Sequence, residues 1–286
     1  MFLSISNKGP SRTAEAVEPY RPAGSFVERV AAFQLVYRSY LERGLAAGNV
    51  FKMRVTPFQL LGTSQIFVAT ERKQAPIPEL LPRYAFLSSE GTSQRTSAFH
   101  DEVVSTVTLI GDGRMGLPME SMFAAEIAEM RGQGRQLAEV ACLADSVSEP
   151  RRFLETFTQL TRLMAQFSRH QGVQNLVISV HPRHAKFYAR YFGFRPLSDR
   201  IANCPHVKNR PAVGLNLDFE LFDLEKPRSW HEIFGNPVPR AKLRACPIPP
   251  SEAKFLREVA AVISHQSELS FPLTEELAPC GVLSAA

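Results

Sequence analysis

The sequence is poor in the features that most directly betray a function. Cysteine is scarce. Cys142, Cys204, Cys246 and Cys280 stand apart with no C-x-x-C pair, which argues against a zinc site and for reduced thiols in a cytoplasm. No stretch approaches a membrane span, and Met1-Phe-Leu-Ser-Ile-Ser is too short and lacks the basic lead-in of a secretory signal. Lysine and arginine nowhere form a run interleaved with aromatics, so nucleic-acid binding is set aside. No internal repeat is present. What remains is an ordinary globular composition over 286 residues, enough for one large domain or a domain with appendages. The formal charge of +5, with a pI near 9.1, favours acidic or phosphorylated partners.

Hydrophobic periodicity divides the chain. Residues 1–24 are polar, end in Pro22-Ala-Gly24, and read as a flexible N-terminal arm. Phe26, Val30, Phe33, Val36, Tyr37 and Tyr40 have helical spacing, stopped by Gly44. Strands are expected over Gln65–Thr70 and Val103–Ile110, joined by a long connection containing Pro76, Pro78 and Pro82. A helix opened by Pro118 and stopped by Gly132, a strand over Gln136–Ala144, and a long amphipathic helix over Pro150–His170 follow. The helix presents Phe153, Phe157, Leu160, Met164 and Phe167 on one face. Leu176–Val180 is an uncharged β-branched run, Pro182 halts it, and a short helix ends at Gly193 before Phe194 re-enters the core. Ala212–Leu221 alternates as a half-buried strand. Beyond residue 222 prolines break the chain, and one helix, about Ser251–His265, stands out. The domain expected is thus 25–221, with 222–286 a C-terminal extension. The order predicts an α/β fold, a mixed central sheet flanked by helices.

Gly111-Asp-Gly-Arg-Met-Gly116 is a literal G-x-G-x-x-G between a strand and a helix, with Glu139 downstream where a dinucleotide site would want an acid. Three features count against that use. Leu117-Pro118 starts the helix after the third glycine, no second βαβ half resembles it, and Asp112-Gly113 is ordinary turn chemistry.

The unit Leu176–Phe194, ending Tyr191-Phe-Gly-Phe194, would suit any βα protein. It also looks like the end of the acceptor half of an N-acyltransferase of the GNAT superfamily. Several further stretches, in order, resemble the long-chain N-acyl amino acid synthases, GNAT-fold relatives of the acyl-homoserine-lactone synthases. They are Leu35-Val-Tyr-Arg-Ser-Tyr-Leu-Glu-Arg-Gly44, Met53-Arg-Val-Thr-Pro-Phe-Gln-Leu-Leu61 and Asp112-Gly-Arg-Met-Gly-Leu-Pro-Met-Glu120. Ala138-Glu-Val-Ala-Cys-Leu-Ala144, Val180-His-Pro-Arg-His184 and Asn209-Arg-Pro-Ala-Val213 complete the set.

The resemblance implies transfer of a long-chain fatty acyl group from an acyl carrier protein thioester to the amine of an amino acid, with no permanently bound cofactor. The alternatives are an acyl-CoA-dependent enzyme acting on another amine, or a non-catalytic acyl-binding or regulatory module on the same fold. Two departures bear on this. Acetyl-CoA-dependent members carry an Arg/Gln-x-x-Gly-x-Gly/Ala loop that grips pyrophosphate at a helix N-terminus. Here the segment is Asp145-Ser-Val-Ser-Glu-Pro-Arg-Arg152, without glycine, which favours a carrier-borne donor. The homoserine-lactone synthases have an arginine where this chain has Cys142, which counts against S-adenosylmethionine as acceptor.

Thioester aminolysis needs a neutral amine, a polarised carbonyl and a proton for the departing thiolate. Glu139 lies in an otherwise apolar strand, where burial would raise its pKa and make it a base. The alternative is a glutamate held by a cation for structure. His181, at the end of the next strand, is a second candidate for the amine proton, or else a cap for the helix Pro182 begins. Tyr191, or Tyr188, stands where this superfamily keeps a tyrosine for the thiolate, or packs in the core. His181 and His184 do not make a metal pair, since one ends a strand and the other starts a helix. Leu143, Phe153, Phe157 and Met164 are candidates to line the acyl chain and pantetheine, or are plain core. Arg151, Arg162 and Arg169 share a helix stripe at about 100° per residue. With Arg54 and Arg152 they are candidates to dock the acidic carrier protein, or a solvated face.

Overall fold

The computed structural model describes residues 18–73, 100–147 and 149–266. Residues 1–17 of the expected arm, the connection holding Pro76, Pro78 and Pro82, and Cys280 lie outside the described residues. The described strands are β1 (Tyr20–Pro22), β2 (Ser64–Lys73), β3 (His100–Gly111), β4 (Leu137–Asp145), β5 (Asn175–Val180), β6 (Arg195–Pro196), β7 (Ala202–Cys204) and β8 (Arg210–Asp218). The helices are α1 (Phe26–Glu42), α2 (Glu120–Gly132), α3 (Pro150–His170), α4 (Pro182–Phe192), α5 (Phe219–Glu225), α6 (Trp230–Phe234) and α7 (Pro250–Gln266).

The sheet runs β1-β2-β3-β4-β5-β8-β6, with β7 on β8, and its one parallel pairing is β4 with β5. That pairing covers only Leu137–Glu139 against Asn175–Val177. Past Glu139 the two strands splay. Val140, Ala141, Cys142 and Leu143 are only half-buried although they sit mid-sheet, because their neighbour on one side has left. This is the splayed pair that the GNAT-like α/β fold requires, and the expected fold is the one found.

Both faces of the sheet are covered, which is why its strands read as continuous apolar runs. Phe67, Ala69, Leu109 and Leu176 pack with Phe157, Leu160 and Met164 of α3. Ile66 and Val68 turn the other way, to Val30, Phe33 and Val36 of α1. On that same side Ile110, Leu137 and Val177 meet Phe123 and Ile127 of α2.

A bulge in β4 breaks this alternation. Thr106 pairs with Ala144 and Thr108 with Ala141, so Val107 alone faces both Cys142 and Leu143. Cys142 adopts φ 53°, a left-handed conformation unusual for any side chain but glycine. The bulge turns Ala141 and Cys142 to the same side as Leu137. Leu143 is sent to the α3 side.

Three boundaries differ from expectation. The arm does not run to residue 24, because Tyr20–Pro22 pair with β2 and Arg21 binds Glu28 of the Ser25 capping box. The last strand stops at Asp218, whose carboxylate accepts from the Glu220 and Leu221 amides and starts α5, so Phe219 and Leu221 are helical. Residues 222–266 are part of the fold. Leu256, Val259 and Ala260 of α7 are buried against α1, and Arg29 of α1 (2% exposed) holds Glu252 at 2.7 Å.

Removing one partner of such a buried pair strands the other. Glu252→Ala should therefore cost about 3–5 kcal/mol in a denaturant melt. A loss below about 1 kcal/mol would show that α7 is not integral to the core.

Candidate active site

Five segments converge on the α1/α2 side of the splay: the C-terminal half of α1, residues 53–60, residues 117–122, β4, and the 3₁₀ turn Pro205–Val207 after β7. Glu139 lies at their centre. It is 3% exposed, it occurs where β4 and β5 part, and its Oε2 accepts the Met119 amide at 2.8 Å. No cation pairs with it among the described residues, so the structural ion pair weighed for it is not formed. Burial first, opposed by the Met119 hydrogen bond and reinforced by the nearby Glu120 carboxylate, raises its pKa from 4.5 to about 8.

The bulge brings Cys142 onto Glu139's face. Gln59 (1% exposed) donates from Nε2 to the Cys142 sulfur at 3.4 Å while its Oε1 accepts the Thr56 amide at 2.8 Å. This ties the 3₁₀ turn Pro57–Leu60 to the bulge. Burial keeps the Cys142 thiol above its ordinary pKa despite the opposing Arg54 charge, so it is no thiolate nucleophile. His206 contacts the Pro118 carbonyl at 3.1 Å through Nε2, which must therefore carry the proton. Burial holds its pKa below the ordinary 6.5, so it is neutral at neutral pH.

Arg54 is placed differently from expectation. It is not a surface docking residue. Its side chain is half-buried among these segments, donates from Nη2 to the His206 carbonyl at 2.5 Å, and lies 4.8 Å from the Tyr40 ring centre. Its neighbours Met53 and Val55 are both buried.

The other candidates divide. His181 is exposed and caps α4, its Nδ1 accepting the Arg183 amide at 3.3 Å. Tyr191 donates its hydroxyl to Glu232 of α6 and stacks on Phe187, a link to the C-terminal extension rather than to Glu139. Tyr188 packs against Phe192 and Phe194, and burial raises its pKa. Phe157 and Met164 are core at 6% and 4% exposure. Leu143 packs at the edge of that core, and Phe153 (38% exposed) stacks on Phe157.

The docking stripe on α3 is largely spent inside the molecule. Arg152 pairs with Glu71, Arg162 donates to the Asn236 carbonyl at 3.0 Å, and Arg169 pairs with Asp223 at 2.7 Å beneath Phe234. Arg151 is exposed.

The G-x-G-x-x-G segment holds no anion cradle. Asp112 and Glu120 both clamp Arg131, at 2.6 and 2.5 Å, and Glu120 caps the Leu117 amide. Gly116, at φ 68°, leaves no room for a Cβ beside Glu120. Two carboxylates there would repel a phosphate. Among the described residues no group of three or more His, Cys, Asp or Glu is placed to hold a metal, and no helix is long and apolar enough to cross a membrane.

Residues 87–218 match the family model described as "N-acyl amino acid synthase FeeM". That segment contains Glu139, Cys142 and His206 but not Arg54 or Gln59. Among solved structures the chain is similar to FeeM, an N-acyl amino acid synthase from uncultured soil microbes. The identity is 24%, over 71% of this chain and 96% of that one, with a TM-score of 0.50. It is also similar to the acyl-homoserine-lactone synthase LasI, at 12% identity over 77% and 95% of the two chains, TM-score 0.46. An acyl-CoA N-acyltransferase from Pseudomonas aeruginosa matches at 11% identity over 69% and 97%, TM-score 0.42. No curated protein matches. The family resemblance read from the residues is borne out, and so is the N-acyltransferase fold.

A carboxyl that ionises near 4.5 unfolded but near 8 folded makes the native state the stronger proton binder between those values. Stability must then fall as pH rises from about 4.5 to about 8. Glu139→Gln keeps the acceptor for Met119 but cannot ionise. The variant should match the parent near pH 4.5 and exceed it by on the order of a few kcal/mol at pH 8. Parallel pH–stability curves for the two proteins would refute the buried, uncompensated carboxyl.

Proposed function

We propose that the chain is an N-acyltransferase that moves a long-chain acyl group from a carrier-protein thioester to the amine of an amino acid. The observation that carries this reading is Glu139, a buried carboxylate without a cation at the point where two central strands part. A fold selected only for stability has no use for such a group.

In this reading the acyl thioester enters between the splayed ends of β4 and β5, and the amine is bound on the α1/α2 side. Glu139, with a pKa near 8, takes a proton from the attacking amine close to its operating pH. The tetrahedral adduct then collapses, the C–S bond breaks, and the proton is available to the departing thiolate. The transferred chain is apolar, and partly exposed apolar residues stand beside the splay. They are Phe153 and Leu154 on α3 and Phe187 on α4.

A carrier-borne donor is supported by the β4–α3 junction. Where a CoA pyrophosphate would meet a helix N-terminus, this chain offers Asp145, with Oδ2 buried and unpartnered, and Glu149. Both oppose an anion. For carrier docking Arg151 remains on the α3 face. The exposed Arg183, Lys186 and Arg190 of α4 add positive charge next to the same opening. The reduced thiols keep the cytoplasmic setting part of the reading, with no cofactor held between turnovers.

The test is to incubate the protein with mixed amino acids and either palmitoyl carrier protein or palmitoyl-CoA, and to look for N-acyl product by mass spectrometry. Product from the carrier thioester, with at least tenfold less from CoA, is expected; the reverse ratio would select the CoA-dependent alternative, and no product from either would sink the enzyme reading. Glu139→Gln should lower turnover by roughly 10²–10⁴ without loss of fold. It should also abolish a pH–rate inflection near 8. Unchanged turnover in a folded variant would remove Glu139 from the chemistry.

A further inference from the structure

We propose that Arg54 receives the α-carboxylate of the acceptor, so that the site selects amino acids over amines that lack one. This rests on the N-acyltransferase reading above and adds to it the residue that would read the acceptor's carboxylate.

Most of the partly buried arginines of this protein have a carboxylate partner, although Arg162 of α3 instead donates to the Asn236 carbonyl. Arg21, Arg29, Arg131, Arg135 and Arg169 are partly or fully buried, and each pairs with a carboxylate of the chain. Arg54 pairs with none among the described residues. Its guanidinium donates to the His206 carbonyl, hydrogen-bonds the Cys142 sulfur and lies against the Tyr40 ring, while its Nε is buried with no hydrogen-bond partner. A buried donor left unmade and a buried charge left unpaired are each costly. An incoming carboxylate relieves both at once, because Nε–H and an Nη–H form a planar fork matched to two carboxylate oxygens.

Position supports the same ligand. Cys142 and Cys204 each lie close enough to feel both Arg54 and Glu139, so the two charges face the same small region from different segments. In an α-amino acid the amine and the carboxylate hang from one carbon. A base for the first and a cation for the second must then sit on the same side of the sheet and close together, without touching. The β4 bulge puts Cys142, held by Gln59, on Glu139's side of the strand, where it stands between the two groups.

The experiment compares L-leucine and L-phenylalanine with their carboxamides as acceptors, using the donor thioester that the parent accepts. The parent should prefer the acids by at least 100-fold in kcat/KM. Arg54→Gln should lower kcat/KM for the acids by about 10²–10³, mainly through KM, while the amides lose far less, so that the preference collapses. Arg54→Lys, which keeps the charge but not the fork, should retain an intermediate preference and serves if the Gln variant does not fold. An active parent that treats acids and amides alike overturns this assignment alone, as does a folded Arg54→Gln or Arg54→Lys variant with the full preference intact. A parent that acylates neither overturns the enzyme reading and the assignment with it.

Discussion

The site depends on a single irregularity, the two-against-one bulge at Cys142 and Leu143 opposite Val107. A regular strand would alternate faces through its whole length, sending Glu139, Ala141 and Leu143 one way and Val140, Cys142 and Ala144 the other. The bulge changes the phase in mid-strand. Leu143 goes to the α3 face, where Phe157, Phe167 and Phe192 cluster, and Cys142 comes to the face of Glu139. It requires a non-glycine residue at φ 53°, a conformation that costs on the order of 1–3 kcal/mol and persists only where surrounding contacts impose it. Here Gln59 supplies one such contact from a buried 3₁₀ turn.

The charge distribution points the same way. Elsewhere the chain matches most of its partly or fully buried arginines with carboxylates and uses them to join elements, as Arg29 and Glu252 join α1 to α7 or Arg131 joins α2 to the turn after β3. Around the splay it does not. Glu139 and Arg54 each lack an opposite charge among the described residues, and they do not meet one another. Holding a protonated acid and an unpaired guanidinium near each other lowers stability.

Much of this was legible in the sequence. The two periodicities, 3.6 for α1 and α3 and continuous apolar runs for β2, β3 and β5, report burial on one helical face or on both faces of a strand, and those elements lie where they were expected. Glu139 was legible as a lone charge inside an apolar strand. The Gly111–Gly116 segment could be rejected from Leu117-Pro118 alone, and Arg131 explains its acids. What failed were inferences about single side chains whose partners are distant in sequence. Arg162 and Arg169 look solvent-facing on a helical wheel, yet the extension beyond residue 222 folds back over α3 and engages them. Tyr191, a candidate from the resemblance, gives its hydroxyl to Glu232. Asp218 ended a strand that the alternation carried on to Leu221, because a side-chain cap outweighs a hydrophobic pattern over three residues.

The sequence by itself therefore determined the order of elements, the apolar faces that bury them, and the identity of the buried acid, since each follows from local pattern and from the cost of hiding a charge. Tertiary structure alone decided that β4 bulges, whereas the departure of its partner strand was implied by the resemblance. It also decided that Arg54 turns inward while the α3 arginines are consumed by the C-terminal extension. Those outcomes depend on register and on contacts between residues scores of positions apart, and no local propensity encodes them.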